Sequence, residues 1–158
     1  MDAACMLPFV RSAQDYRAFR IHPSDRNRLV VLFDPTVTDY SLTVCFEIFD
    51  QNSGTPSHRH HHADEMFFIL KGEGQAICDG KEIPLRAGDS MLVRPTGLHE
   101  IRNTGPGRLY ALSVMVPNED FAELVQSGTP AELDAEDLAV LRHQSGAPGL
   151  GVMAAIAA

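Results

Sequence analysis

From Asn27 to Pro117 apolar and polar positions alternate in short runs, each closed by glycine, proline or an Asp/Asn turn residue. NRLVVLFDP reads as a strand stopped at Pro35. SLTVCFEIFD reads as a longer strand, with Leu42, Val44, Phe46 and Ile48 alternating against Thr43, Cys45, Glu47 and Phe49. Such period-two alternation marks a strand with two distinct faces. MFFIL, GEGQAICDGKEIPL, RAGDSMLVRP, LHEIRN and GRLYALSVMVP continue the series. The Asp79-Gly80 pair suits a tight hairpin, where glycine accepts positive φ. Roughly eight or nine short strands at near-regular spacing predict an antiparallel sandwich or barrel.

The ends of the chain read differently. Before residue 27, Ser12 with Asp15 could cap a short helix, and YRAFRIH also reads as an arm strand. After Pro117, NEDFAELVQSG predicts a short helix with acids at its start and Gly128 closing it. TPAELDAEDLAVLRH predicts a second helix, capped at Thr129 or Asp134, with Leu138, Val140 and Leu141 on its apolar side. The resulting division is an arm over 1–26, a β-domain over 27–117, a helical appendage over 118–143 and a Gly/Ala-rich tail over 144–158. A chain of 158 residues with 44% hydrophobic content fits one domain.

One stretch carries chemistry. In NSGTPSHRHHHADEMFFILKG, His58 and His60 stand two apart, which on an extended chain puts both imidazoles on one face. The residues between His60 and Glu65 suffice for a bend, so Glu65 can start the next strand and bring a carboxylate to the same point. His99, after a Gly-Asp turn, a short strand and a Pro-Thr-Gly bend, is a candidate fourth ligand. A histidine-rich surface tract is the plainer account of HRHHH. The carboxylate and the downstream histidine at these spacings outweigh it. His61 and His62 read as loop or rim residues.

These segments resemble the cupin superfamily. That family's first motif runs Gly, five residues, His-x-His, three or four residues, Glu, six residues, Gly; here His58, His60, Glu65 and Gly72 keep the spacing, and Asn52 occupies the opening glycine slot. The second runs Gly, five residues, Pro-x-Gly, two residues, His, three residues, Asn; Gly88, His99 and Asn103 match, while Arg94 and Thr96 fill the Pro and Gly slots. The likeness spans roughly residues 28 to 116. It implies an all-β, double-stranded β-helix (jelly-roll) barrel with short C-terminal helices, holding one metal through His58, His60, Glu65 and His99. It also implies a homodimer, since small cupins often pair through their sheets.

Three neutral imidazoles and one carboxylate around a divalent ion leave a site of net charge +1 with coordination positions open. That donor set suits Fe, Mn, Ni, Zn or Cu alike. Strand parity proposes Phe67, Ile69, Met91, Ile101 and Leu112 as inward positions. Glu47 could point inward as a proton carrier, although outward is the usual reading for a strand glutamate. Arg94 could meet a carboxylate substrate at the rim, with a plain surface arginine as the bland alternative. Glu100 is a loose acid-base candidate, Asn103 reads as a turn-fixing residue, and Tyr40 and Tyr110 are undistinguished. Two classes stay open: a metal-dependent enzyme on a small organic molecule (a dioxygenase, or an isomerase, lyase or decarboxylase), and a non-catalytic small-ligand binder.

The formal charge of −8 argues against nucleic acid or an anionic membrane surface as partner. Cys5, Cys45 and Cys78, odd in number and irregular in spacing, suggest reduced thiols in a cytoplasmic protein. MDAACMLPFVR lacks the pattern of a signal peptide, and GLGVMAAIAA is too short to span a bilayer.

Overall fold

The computed structural model describes residues 8–38 and 41–142. It contains ten strands: β1 (Ala18–Arg20), β2 (Asn27–Phe33), β3 (Thr43–Phe49), β4 (Asp64–Lys71), β5 (Glu73–Cys78), β6 (Lys81–Arg86), β7 (Ser90–Val93), β8 (His99–Asn103), β9 (Leu109–Val116) and β10 (Thr129–Ala131). Three short helices accompany them: α1 (Pro35–Thr38), α2 (Phe121–Gln126) and α3 (Ala135–Leu141). The strands form two antiparallel sheets, one of seven in the order β10-β1-β2-β3-β9-β4-β7 and one of three in the order β6-β5-β8. The fold is an all-β jelly roll with short C-terminal helices. No helix among the described residues is long and apolar enough to cross a membrane.

Turn chemistry follows the sequence closely. Asp79 and Gly80 have φ of 48° and 79°, so both central residues of the β5–β6 hairpin are left-handed. That is the two-residue turn whose twist matches the flanking strands. The two motif glycine slots that hold another residue are also left-handed: Asn52 has φ 57° and Thr96 φ 71°. Asparagine tolerates that region, whereas a β-branched threonine there is strained. Asn103 fixes the turn after β8, its amide donating to the carbonyls of Phe49, Asp50 and Gly107 at 3.0, 3.1 and 2.8 Å.

The two sheets enclose Phe49, Phe67, Ile69, Leu85, Ile101 and Leu109, with Met91 packed against them. A second buried group, Leu29, Val31, Cys45, Ala122 and Val125, seats α2 against one end of the large sheet. Asn118 holds α2 there: its side-chain Oδ1 accepts from the Thr43 hydroxyl on β3 and from Ala122 N at 2.9 Å.

Several expectations are refined. Ala13–Asp15 forms a short 3₁₀ helix with Ser12 as its cap, and β1 follows, so both readings of the arm hold. Thr129 is no helix cap: it begins β10, which pairs with β1 through Arg20↔Thr129 and extends the large sheet. Asp134 caps α3, accepting from Glu136 N and Asp137 N at 3.0 Å. Leu112 faces outward. It pairs directly with Phe46 and Phe68, and cross-strand partners share a face, so the inner positions of β9 are Ala111 and Ser113. Tyr40, Cys5 and the tail lie outside the described residues.

Candidate metal centre

Two strands and a bridge bring the four motif residues together. Glu65 lies near the start of β4 and His99 opens β8. His58 sits in the connection after β3 and is held by an isolated antiparallel bridge to His99. The His60 carbonyl accepts from Thr96 N at 2.7 Å, so the bend before β8 also fixes the first motif. One donor atom from each of His58, His60, Glu65 and His99 falls within 4.8 Å of the others.

The hydrogen bonds aim these donors inward. His58 Nδ1 faces the Pro56 carbonyl at 2.9 Å and His99 Nδ1 faces the Gly97 carbonyl at 3.0 Å. A carbonyl oxygen only accepts, so both Nδ1 atoms carry the proton and both Nε2 atoms turn toward the centre. Outer bonds of this kind orient imidazole ligands in metal sites. The third imidazole is different: His60 Nδ1 lies 3.9 Å from Glu119 Oε2. Glu119 is itself positioned by accepting from His61 N at 3.0 Å and from His62 N. His61 and His62 are exposed rim residues, as their place in the motif suggests.

Glu65 Oε2 lies 2.9 Å from His60 Nε2 and 3.0 Å from His99 Nε2. Burial alone would raise the Glu65 pKa, but bonds from both imidazoles outweigh it and hold the carboxyl ionised, down to about 2. The same carboxylate raises His99 against the effect of its burial, whereas burial lowers His58. His99 thus faces an acceptor at each ring nitrogen. A cation between Nε2 and Glu65 would satisfy both groups without a second proton. Two donors bonded at about 2.1 Å to one ion, at right angles, lie about 3 Å apart, close to the contacts seen here. The donor set therefore fits a divalent ion, and a cluster of three histidines and one glutamate of this kind could hold one.

Of the two orientations that the strand pattern left open for Glu47, the fold takes the inward one, and the residue is 4% exposed. Its register partners explain the direction: Leu29 on β2 and Ala111 on β9 both belong to inner clusters. Both parity sets of β3 are largely apolar, so alternation alone could not choose the buried face. Burial pushes the Glu47 carboxyl up to about 8, and the nearby Glu65 charge adds to the effect.

A pocket of about 230 Å³ opens onto the cluster, and Glu47, His58, His60, Glu65 and Phe67 line it. Its outer wall is built by Ile21 and Asp25 before β2, Asn27 and Leu29 on β2, and Phe121 and Leu124 on α2. None of these six stood out in the sequence, because arm and helix residues reach the site only through the fold. Of the parity candidates, Phe67 lines the pocket, while Ile69, Met91 and Ile101 belong to the core beneath it. Arg94 is exposed and borders a separate depression with Cys78 and Asp79. Glu100 pairs with Arg102 away from the cluster, and Tyr110 is buried with its hydroxyl on Asp137 at 3.0 Å.

With this geometry in place, comparison with known proteins defines the class. The model of the cupin domain family matches residues 45–115, which contain all four clustered residues. The chain thus carries a match to the cupin domain over these residues, in a barrel of the fold that cupins share. A Thermotoga maritima protein named oxalate-binding protein is 37% identical over 59 residues, covering 37% of this chain and 49% of that protein. The chain thus spans about half the length of the curated relatives it first matches. Among solved structures, a predicted oxalate decarboxylase from Thermotoga maritima superposes with a TM-score of 0.63 at 24% identity, covering 69% of this chain and 99% of that one. An RmlC-like cupin from Shewanella frigidimarina gives a TM-score of 0.60 at 21% identity, covering 73% and 96%. These likenesses extend the agreement in fold.

Proposed function

We propose that this cupin is a metal-dependent enzyme acting on a small organic molecule, with His58, His60, Glu65 and His99 as the ligands of one divalent ion. The observation that carries the reading is Glu47, a buried carboxyl in the pocket that His58, His60 and Glu65 also line, where no lysine or arginine stands among the described lining residues. A carboxyl so placed is suited to hold a proton near neutral pH and to transfer it to a bound molecule. The relative named for oxalate binding supports a small carboxylate-bearing ligand.

In this reading the ion, when bound, supplies Lewis-acid polarisation of a substrate oxygen. The Pro56 and Gly97 carbonyls hold the His58 and His99 rings in the tautomer that presents Nε2. Phe67, Leu29 and Phe121 keep water from the reacting centre. Glu47 gives or takes the proton. That role favours redox-neutral proton-transfer chemistry, an isomerase, lyase or decarboxylase, over a dioxygenase. A second reading, a binder without turnover, draws support from the word binding in the relative's name.

Elemental analysis of tag-free wild type beside His58→Ala and Glu65→Ala tests the site. The expected result is about one equivalent of metal, lost in both variants. Wild type that is metal-free and ignores added ions would end the reading. Glu47→Gln then separates enzyme from binder: an enzyme loses turnover while its metal stays bound.

A further inference from the structure

The pocket wall also carries information on what binds. Resting on the metal reading above, we propose that the site selects a compact carboxylate with an apolar tail and discriminates, through residues outside the cupin-matched core, against ligands that carry a second carboxylate at the far end of that tail.

Charge comes first. A divalent ion with three neutral imidazoles and the Glu65 carboxylate has net charge +1, which one carboxylate neutralises. A second carboxylate on the ligand would need a cation, and the described lining residues include no lysine or arginine. The other ionisable lining groups are Glu47 and Asp25, both acids. Whether Glu47 is protonated or charged, neither group attracts a second negative charge, and a like charge in a desolvated pocket is strongly disfavoured.

The shape agrees. About 230 Å³ is the liquid volume of roughly eight water-sized groups, enough for a metal-binding head and a short chain. Away from the ligands the wall is mostly apolar, built by Ile21, Leu29, Phe67, Phe121 and Leu124, with Asn27 and Thr55 as uncharged polar members. Phe121 and Leu124 are three apart on α2, so they present one face to the pocket. Ile21, Leu29, Phe121 and Leu124 all lie outside residues 45–115. The matched core thus supplies the metal chemistry, while the segment before β2, β2 itself and α2 set the tail preference.

Cobalt(II)-loaded full-length protein tests this with 2-oxopentanoate and 2-oxoglutarate, which share a chelating head and differ in ending in a methyl or a carboxylate. The cobalt absorption bands report metal binding, and their shift on titration reports the ligand. The expected result is at least tenfold tighter binding of 2-oxopentanoate, with the preference narrowed at least tenfold in Leu124→Arg. Leu124 is half exposed, so this change leaves the core intact. Equal or tighter binding of 2-oxoglutarate by wild type, or no shift with either acid, overturns the proposal while sparing the metal site. Cobalt bands that never appear show instead that the metal reading has failed, and this inference falls with it. An unchanged preference in Leu124→Arg removes α2 from the selectivity.

Discussion

His58 and His99 close an antiparallel bridge in which each backbone N–H donates to the other's carbonyl, at 2.9 and 2.8 Å. The bridge sets their rings 4.2 Å apart between centroids. It joins the two cupin motifs through backbone, so ligand spacing is fixed by sheet geometry before any ion arrives. Such preorganisation reduces the conformational entropy lost on binding.

Glu47 makes stability depend on pH in the metal-free protein. Its folded-state pKa is raised to about 8 from the ordinary 4.5. The folded state therefore holds the proton more tightly, and that stabilisation is full below about 4.5 and is lost as pH rises toward 8. Glu65 acts oppositely: its lowered pKa gives stability that is lost as pH falls from 4.5 toward about 2. Urea titrations at pH 5, 6.5 and 8 are expected to show stability falling with pH, and Glu47→Gln is expected to flatten that slope. An equal slope in the variant would place the effect elsewhere.

Thr96 stores strain at the bend before His99. Its φ of 71° costs a non-glycine residue about 1–2 kcal/mol. Glycine would relieve that, less the entropy it adds to the unfolded chain, so Thr96→Gly is expected to gain up to about 1 kcal/mol. Thr96→Ala keeps the penalty and should gain nothing. Denaturant midpoints compare the three proteins; destabilisation by glycine would refute the account.

Asp137 anchors α3 to the barrel. Its buried carboxylate meets Arg28 through both terminal nitrogens, Arg108 Nη1 at 3.2 Å and the Tyr110 hydroxyl at 3.0 Å. Removing one side leaves the buried Arg28 with only Asp50 at 3.4 Å and the Glu132 carbonyl at 3.1 Å, a loss of about 3 kcal/mol. Asp137→Ala should then lower Tm by on the order of 10 °C. A shift of a degree or two by calorimetry would show the network to be nearly neutral.

For assembly we propose a homodimer through the outer face of the large sheet. Leu92, Val116 and Phe68 are 58, 45 and 39% exposed there, beside Met66 and Val114, and β7 is an open edge. Light scattering is expected to give twice the chain mass for wild type and the monomer mass for Leu92→Glu. A monomeric wild type would remove the idea.

The sequence alone determined the strand series, the Asp79-Gly80 hairpin, α2 and the identity of the four clustered residues. Each depends on local rules: side-chain alternation, turn residues that accept positive φ, and a ligand pair two apart on an extended chain. What only the tertiary structure decided involves partners distant in the chain. Glu47 turned inward because Leu29 and Ala111 flank it in register, and Leu112 turned outward because Phe46 and Phe68 do. Thr129 joined a sheet because β1 offered an edge. The pocket wall drew Ile21, Phe121 and Leu124 from opposite ends of the chain. Periodicity shows that a strand has two faces; only its neighbours in the sheet decide which face is buried.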